Sequence, residues 1–172
     1  MTTLIRQRRI ADDPWRVVGL PGEPIADPLP ADGDIIVPLA VWRGQQPALL
    51  GRQGRTGVWL EGSEDPAVLF SAGPMPELIA VRFATFTDGR GYSVARLLRE
   101  RHGFRGELRA IGDVLRDTLF DLARCGFDAF ALRDDQDAGA ALAAFADFSE
   151  VYQAAADRGP LFARRFQVQE TL

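Results

Sequence analysis

Apolar runs alternating with amphipathic stretches set out the chain. Gly57 to Glu61 reads as a short strand, and Leu78 to Phe83 is a continuous apolar run broken only by Arg82, the pattern of a strand covered on both faces. From about Gly91 to His102, Tyr92, Val94, Leu97 and Leu98 fall on one side of a helix, while Arg96, Arg99, Glu100 and Arg101 fall elsewhere. Gly103 follows where a helix end takes a left-handed residue, and Phe104 is placed to fold back toward Leu98. Glu107 to Ile111 predicts a third strand. Asp113 then stands as N-cap of a helix whose Leu115, Thr118, Leu119 and Leu122 share one face. The same ending recurs 23 residues on, with Gly126 as the left-handed residue and Phe127 set against Leu122. Phe127 to Leu132 predicts a fourth strand, and an Ala-rich helix covers about Asp137 to Phe145, continuing through Val151 and Tyr152.

Upstream the pattern is more broken. Residues 2–10 and 15–18 are β-like on either side of Ala11-Asp12-Asp13-Pro14, which is turn chemistry, so an N-terminal hairpin or pair of edge strands is expected as a cover. Five prolines between Pro21 and Pro38 favour an extended connection that wraps the core. Pro38 suits the first turn of a helix and Pro47 interrupts it, which predicts two short pieces. Ser63 or Asp65 can cap a short helix with Pro66 in its first turn. Gly51 to Gly57 has the glycines of a phosphate loop, but it precedes a strand where such loops follow one and open a helix.

Strands alternating with helices give right-handed βα units. The fold class expected is α/β, a mostly parallel sheet of at least four strands, as an open sheet or partial barrel with an N-terminal β hairpin. A closed eight-stranded α/β barrel takes about 250 residues, more than the 172 present. One domain is expected: residues 1–34 form the hairpin and Pro-rich connection, 35–157 the core, and 158–172 a flexible tail.

Composition narrows the chemistry. A formal charge of -4 opposes a sequence-independent nucleic-acid binder. No run approaches the 18 apolar residues of a membrane span, and no apolar signal core follows the N-terminal arginines, so a cytoplasmic protein is expected. All 20 basic residues are Arg. One Cys, Cys125, and one His, His102, cannot supply the four thiolates of an iron-sulfur cluster or the ligands of a structural zinc. No dinucleotide fingerprint occurs, and no metal site is expected. A flavin, which takes scattered backbone contacts, is compatible with the sequence.

Ligands of open parallel sheets collect at the carboxyl ends of the strands. That edge holds Glu61, Thr85, Asp88, Arg90, Ser93, Asp113, Arg116, Arg133 and Asp134. The turn Thr87-Asp88-Gly89-Arg90-Gly91-Tyr92-Ser93 is the most suggestive, because two glycines permit close backbone approach and Arg90 can offer a two-pronged contact to a small oxyanion. Against this stands the plainer reading that Asp88 or Ser93 caps the helix and Arg90 is solvated. Asp113 and Arg116 divide the same way, between a helix cap with a local ion pair and a ligand contact. The five candidate ligand-binding residues are Asp88, Arg90, Ser93, Asp113 and Arg116. His102 and Cys125, each just before a helix-ending glycine, belong to the opposite edge.

The stretch DGRGYSVARLLRERHGFRGELRAIGDVLRDTLFDLARCGFDAF, Asp88 to Phe130, resembles a small bacterial family of unknown function whose members carry the label of an oxidoreductase in sulfite reduction. The IIVPLAVW and GVWLE segments extend the likeness to about Asp34 through Tyr152; Thr118 stands where Gln is more usual. The resemblance implies an accessory protein of assimilatory sulfite reduction and cysteine biosynthesis, as a partner or electron-transfer adaptor of sulfite reductase. It transfers no catalytic residue. A small-oxyanion-binding enzyme or sensor using the Asp88 to Ser93 turn is the second reading, and a homo-oligomeric scaffold the third.

Overall fold

The computed structural model describes residues 3–71 and 74–146. Eight strands form one sheet: β1 (Leu4–Arg6), β2 (Arg9–Ala11), β3 (Trp15–Val17), β4 (Asp34–Pro38), β5 (Thr56–Glu61), β6 (Leu78–Phe83), β7 (Glu107–Gly112) and β8 (Ala129–Ala131). Their order is β2-β1-β8-β7-β6-β5-β4-β3. Neighbours from β3 to β8 run parallel, while β1 is antiparallel to both β8 and β2. The sheet is therefore mixed, which corrects the expectation of a mostly parallel one. The N-terminal hairpin does add strands to the edge, but it turns at Gln7 and Arg8, both at positive φ, and not at Ala11 to Pro14.

The helices expected between strands are present and short. They are α1 (Leu39–Gly44), α2 (Gln46–Leu50), α3 (Arg90–Arg96), α4 (Leu119–Arg124) and α5 (Ala138–Ala143). A 3-10 turn at Pro66–Phe70 is capped by Asp65, whose carboxylate accepts from the Ala67 N–H at 2.9 Å. Asp137 caps α5 in the same manner, accepting from the Ala140 N–H at 2.6 Å. Past α3 the chain loosens into a π turn over Leu97–Arg101. Gly103 then stops it at φ 65°, and the Phe104 N–H donates back to the Leu98 carbonyl at 2.9 Å. Gly126 at φ 107°, with Phe127 bonded to the Leu122 carbonyl, ends α4 by the same device. The expected continuation through Val151 and Tyr152 and the tail from residue 158 lie outside the described residues.

Because the strands from β3 to β8 step across the sheet in one direction, right-handed crossovers place every helix on one face. Burial agrees. Val41, Leu49, Leu69, Leu98, Leu122 and Phe145 from the helices all join one core cluster with Ile35, Val58, Ile79, Val81 and Leu108. The second, smaller cluster holds strand residues only: Trp15, Ile36, Trp59, Leu78, Ala80 and Ile111. Among the described residues, the sheet thus has a helix-covered outer face and an inner face that no helix covers.

The connection from β2 to β3 shows how strongly the sheet curls. These strands occupy opposite edges, yet Ala11 and Trp15 bound them with three residues between. Laid flat, eight strands would put the outer two ~34 Å apart at the usual ~4.8 Å spacing. Four Cα steps reach at most ~15 Å. The sheet is therefore bent into an open half-barrel, and Asp12-Asp13-Pro14 straps its concave side. The Pro-rich connection wraps the β3 edge: Leu20 packs on the inner cluster and Leu29 on the outer one. Arg52, from the glycine-rich segment, pins that connection by donating to the carbonyls of Pro30, Asp32 and Gly33 at 2.6, 3.1 and 2.8 Å.

Candidate functional site

Strand register decides which side chains the inner face presents. Ala80 pairs with Arg109 and Arg82 with Ile111, and on the flanking strands Trp59 pairs with Ala80, Glu61 with Arg82, and Arg109 with Ala129. Cross-strand partners share a face. The inner face therefore carries Ala80, Ala129 and Ala131 at its middle with Arg82 and Arg109 rising among them, and the small Ala131 leaves room above the sheet. That room is an open pocket of about 960 Å³ between the sheet, the strap and the Pro-rich connection. Arg82, Arg109, Ile111 and Arg133 line it from the strands β6 to β8 and the loop beyond; Asp13 and Trp15 line it from the strap side.

Each of these three guanidinium groups already holds an acid. Arg82 donates to Glu61 at 2.7 Å, with both side chains partly exposed. Arg109 is fully buried, and its Nη1 donates to Oδ1 and Oδ2 of Asp13 at 3.0 and 2.8 Å, while Nε donates to Glu107 at 2.8 Å. Asp13 is steadied by the Trp15 N–H, 3.2 Å from its Oδ1. At the rim Arg133 donates from Nη1 to Asp113 at 2.6 Å and, two-pronged, to Asp135 at 2.6 and 2.7 Å. Those two bonds hold the Asp135 carboxyl down at about 2 and push the Arg133 guanidinium up.

Of the five residues singled out from the sequence, Asp113 adjoins this pocket. It does not cap a helix: the following 3-10 turn (Arg116–Thr118) starts after Leu115 without a side-chain cap. Asp113 instead accepts from the Phe86 N–H at 2.8 Å and from Arg133, tying the loops after β6, β7 and β8 together. Asp88 and Arg90 form a self-contained pair in the neighbouring turn. Both side-chain prongs of Arg90 donate to Asp88, at 2.9 and 2.7 Å, and the Arg90 N–H adds a third bond at 3.1 Å. Hydrogen bonds from Arg90 lower the Asp88 carboxyl to about 2. An anion at this turn would have to displace that carboxylate. Gly89 is the N-cap position of α3, and no side chain caps it; Ser93 sits exposed within the helix. Arg116 turns toward α5, where its Nε donates to the Ala140 carbonyl at 3.4 Å; its backbone N–H donates to the Gln136 side chain just before that helix at 3.1 Å, and its Nη1 to Asp117.

Glu61, Arg133 and Asp134 belong to the edge read from the sequence, but Asp13, Trp15, Arg82 and Arg109 were missed. One local signal existed. Glu107, Arg109 and Arg82 stand at alternate positions of otherwise apolar strands, which marks a face that is not simply core. At the opposite edge His102 stacks on Phe70 with ring centroids 4.2 Å apart, and burial pushes the Cys125 thiol up, away from a reactive thiolate. Among the described residues no three His, Cys, Asp or Glu side chains are grouped to hold a metal ion, and no helix is long and apolar enough to cross a membrane.

A family model described as a bacterial protein of unknown function (DUF934) matches residues 57–162, well over half of the chain. The chain belongs to the DUF934 family. No curated protein matches it, and no solved structure does. The DUF934 segment includes Glu61, Arg82, Arg109, Asp113 and Arg133, whereas Asp13 and Trp15 of the strap precede it. The pocket of this DUF934 protein is thus built jointly by the family segment and the chain before it.

Proposed function

We propose that this protein is an accessory component of sulfite reduction that receives a small oxyanion in the inner pocket of its half-barrel. The observation carrying the binding half is the convergence of Arg82 near the end of β6, Arg109 midway along β7 and Arg133 just past β8 on one open pocket. Guanidinium groups give planar, charge-assisted contacts to such anions. Arg82 and Arg133 are only partly covered and can trade a carboxylate partner for a ligand with little reorganisation. The pathway half rests on the resemblance of Asp88 to Phe130. With one Cys and one His, the chain has no set of thiolates for an iron-sulfur centre of its own, so in this reading the electrons travel through sulfite reductase and this protein acts beside it.

Two experiments separate the halves. Calorimetric titration with sulfite, sulfate and phosphate is expected to show binding that Arg133→Ala weakens by roughly tenfold, the scale of one charge-assisted contact; heats indistinguishable from dilution for all three anions would remove the binding half. Co-purification with sulfite reductase, and a change in reductase turnover when this protein is added, are expected for the pathway half. No association together with unchanged turnover would sink it.

A further inference from the structure

The strap does more than span the open side of the half-barrel, because it delivers a carboxylate to Arg109, the one fully buried guanidinium among the described residues. Asp13 and Arg109 are 96 positions apart in the chain. A buried charge is tolerated only when paired, and Asp13 supplies half of that pairing while its own side chain stays 20% exposed. Arg109 is nevertheless not fully used: Nη2 lies 2.7 Å from the Glu107 oxygen already bonded to Nε, and finds no hydrogen-bond acceptor among the described residues. Its ion pair with Glu107 thus leaves Nη2 donor capacity that no hydrogen bond uses, and Arg109 lines the pocket.

We infer that Asp13 is a resident anion, and that a ligand's anionic group takes its place on Arg109 as the strap shifts aside. This rests on the inner pocket being the oxyanion site. Charge balance favours exchange over simple entry. Arg109 already faces two carboxylates, Asp13 and Glu107, the latter also 3.7 Å from Arg6. A third anion arriving beside them would be repelled, whereas one that replaces Asp13 leaves the count unchanged. Shape favours an anion with three or more oxygens. Asp13 contacts Nη1 alone with its two oxygens, while sulfite or phosphate can reach Nη1 and the unmet Nη2 together. Ile111 and Trp15 beside them offer an apolar wall for any organic part of the ligand.

The test compares sulfite and acetate binding, by calorimetry and thermal shift, to wild type, Asp13→Ala and Asp12→Ala. Asp12 lies on the same strap and lines the same pocket, but makes no hydrogen bond or ion pair with Arg109. Exchange predicts that Asp13→Ala binds sulfite roughly tenfold tighter than wild type, gains a larger sulfite-induced rise in Tm, and takes acetate more weakly than sulfite; Asp12→Ala stays near wild type. Should Asp13→Ala fail to fold, Asp13→Asn carries the same comparison with a neutral oxygen left in place. Equal affinities in all three proteins, or equal gains from Asp12→Ala and Asp13→Ala, would overturn exchange and leave the pocket reading standing. Absence of sulfite binding by every protein would overturn both.

Discussion

At the scale of single residues, Arg109 shows how far function and stability share one contact. Removing one partner of a buried ion pair leaves an uncompensated charge and typically costs about 3–5 kcal/mol. Arg109→Ala strands Asp13 and Glu107 together, so its urea unfolding free energy is expected to fall by about 3 kcal/mol. A loss below about 0.5 kcal/mol, the range of ordinary surface changes, would mean that the strap is not anchored there. The exposed Arg133–Asp135 pair behaves differently. The Asp135 carboxyl is lowered from 3.8 to about 2 in the folded protein, so its contribution is complete above the unfolded value and fades as pH falls through the folded one. Asp135→Asn is therefore expected to lessen the drop in Tm between pH 4 and pH 2, and an unchanged drop would contradict the assignment. Neither Arg109 nor its partners could be fully read beforehand. The alternation of Glu107 and Arg109 in β7 was visible, but Asp13 reaches them only through the three-dimensional fold.

At the scale of elements, what was legible was what depends on near neighbours. Asp65, one of the two residues expected to cap, does so, and Gly103 and Gly126 stop their helices with Phe104 and Phe127 folded back, because each device is complete within a few residues. Asp113 failed as a cap for the opposite reason. Its two oxygens serve Phe86 and Arg133, 27 and 20 positions away, and no local pattern announces such a tie. Gly112, just before it, fixes the geometry of that tie: it holds φ 92°, and a Cβ there would collide with the Phe83 carbonyl oxygen. Gly112→Ala is expected to destabilise the protein by more than about 1 kcal/mol and to loosen the loops after β6 and β7. Hydrogen exchange at the Phe86 and Asp113 amides would register the loosening; unchanged protection there would contradict it.

At the scale of the molecule, the βα order followed from the sequence and a partial barrel was one of the two sheet forms it allowed, while the strap was not legible. Ala11 to Pro14 has the composition of a hairpin turn, and only the pairing of β1 with β8 shows that it crosses between opposite edges of the sheet. That crossing helps close the inner face into a pocket and moves the centre of interest from the Asp88 to Ser93 turn to Arg82, Arg109 and Arg133. The decisive measurement is a sulfite titration of wild type, Arg82→Ala and Arg90→Ala under one buffer. Binding in the pocket predicts roughly a tenfold loss for Arg82→Ala and wild-type affinity for Arg90→Ala. The reverse order, with Arg90→Ala impaired and Arg82→Ala intact, would contradict the account.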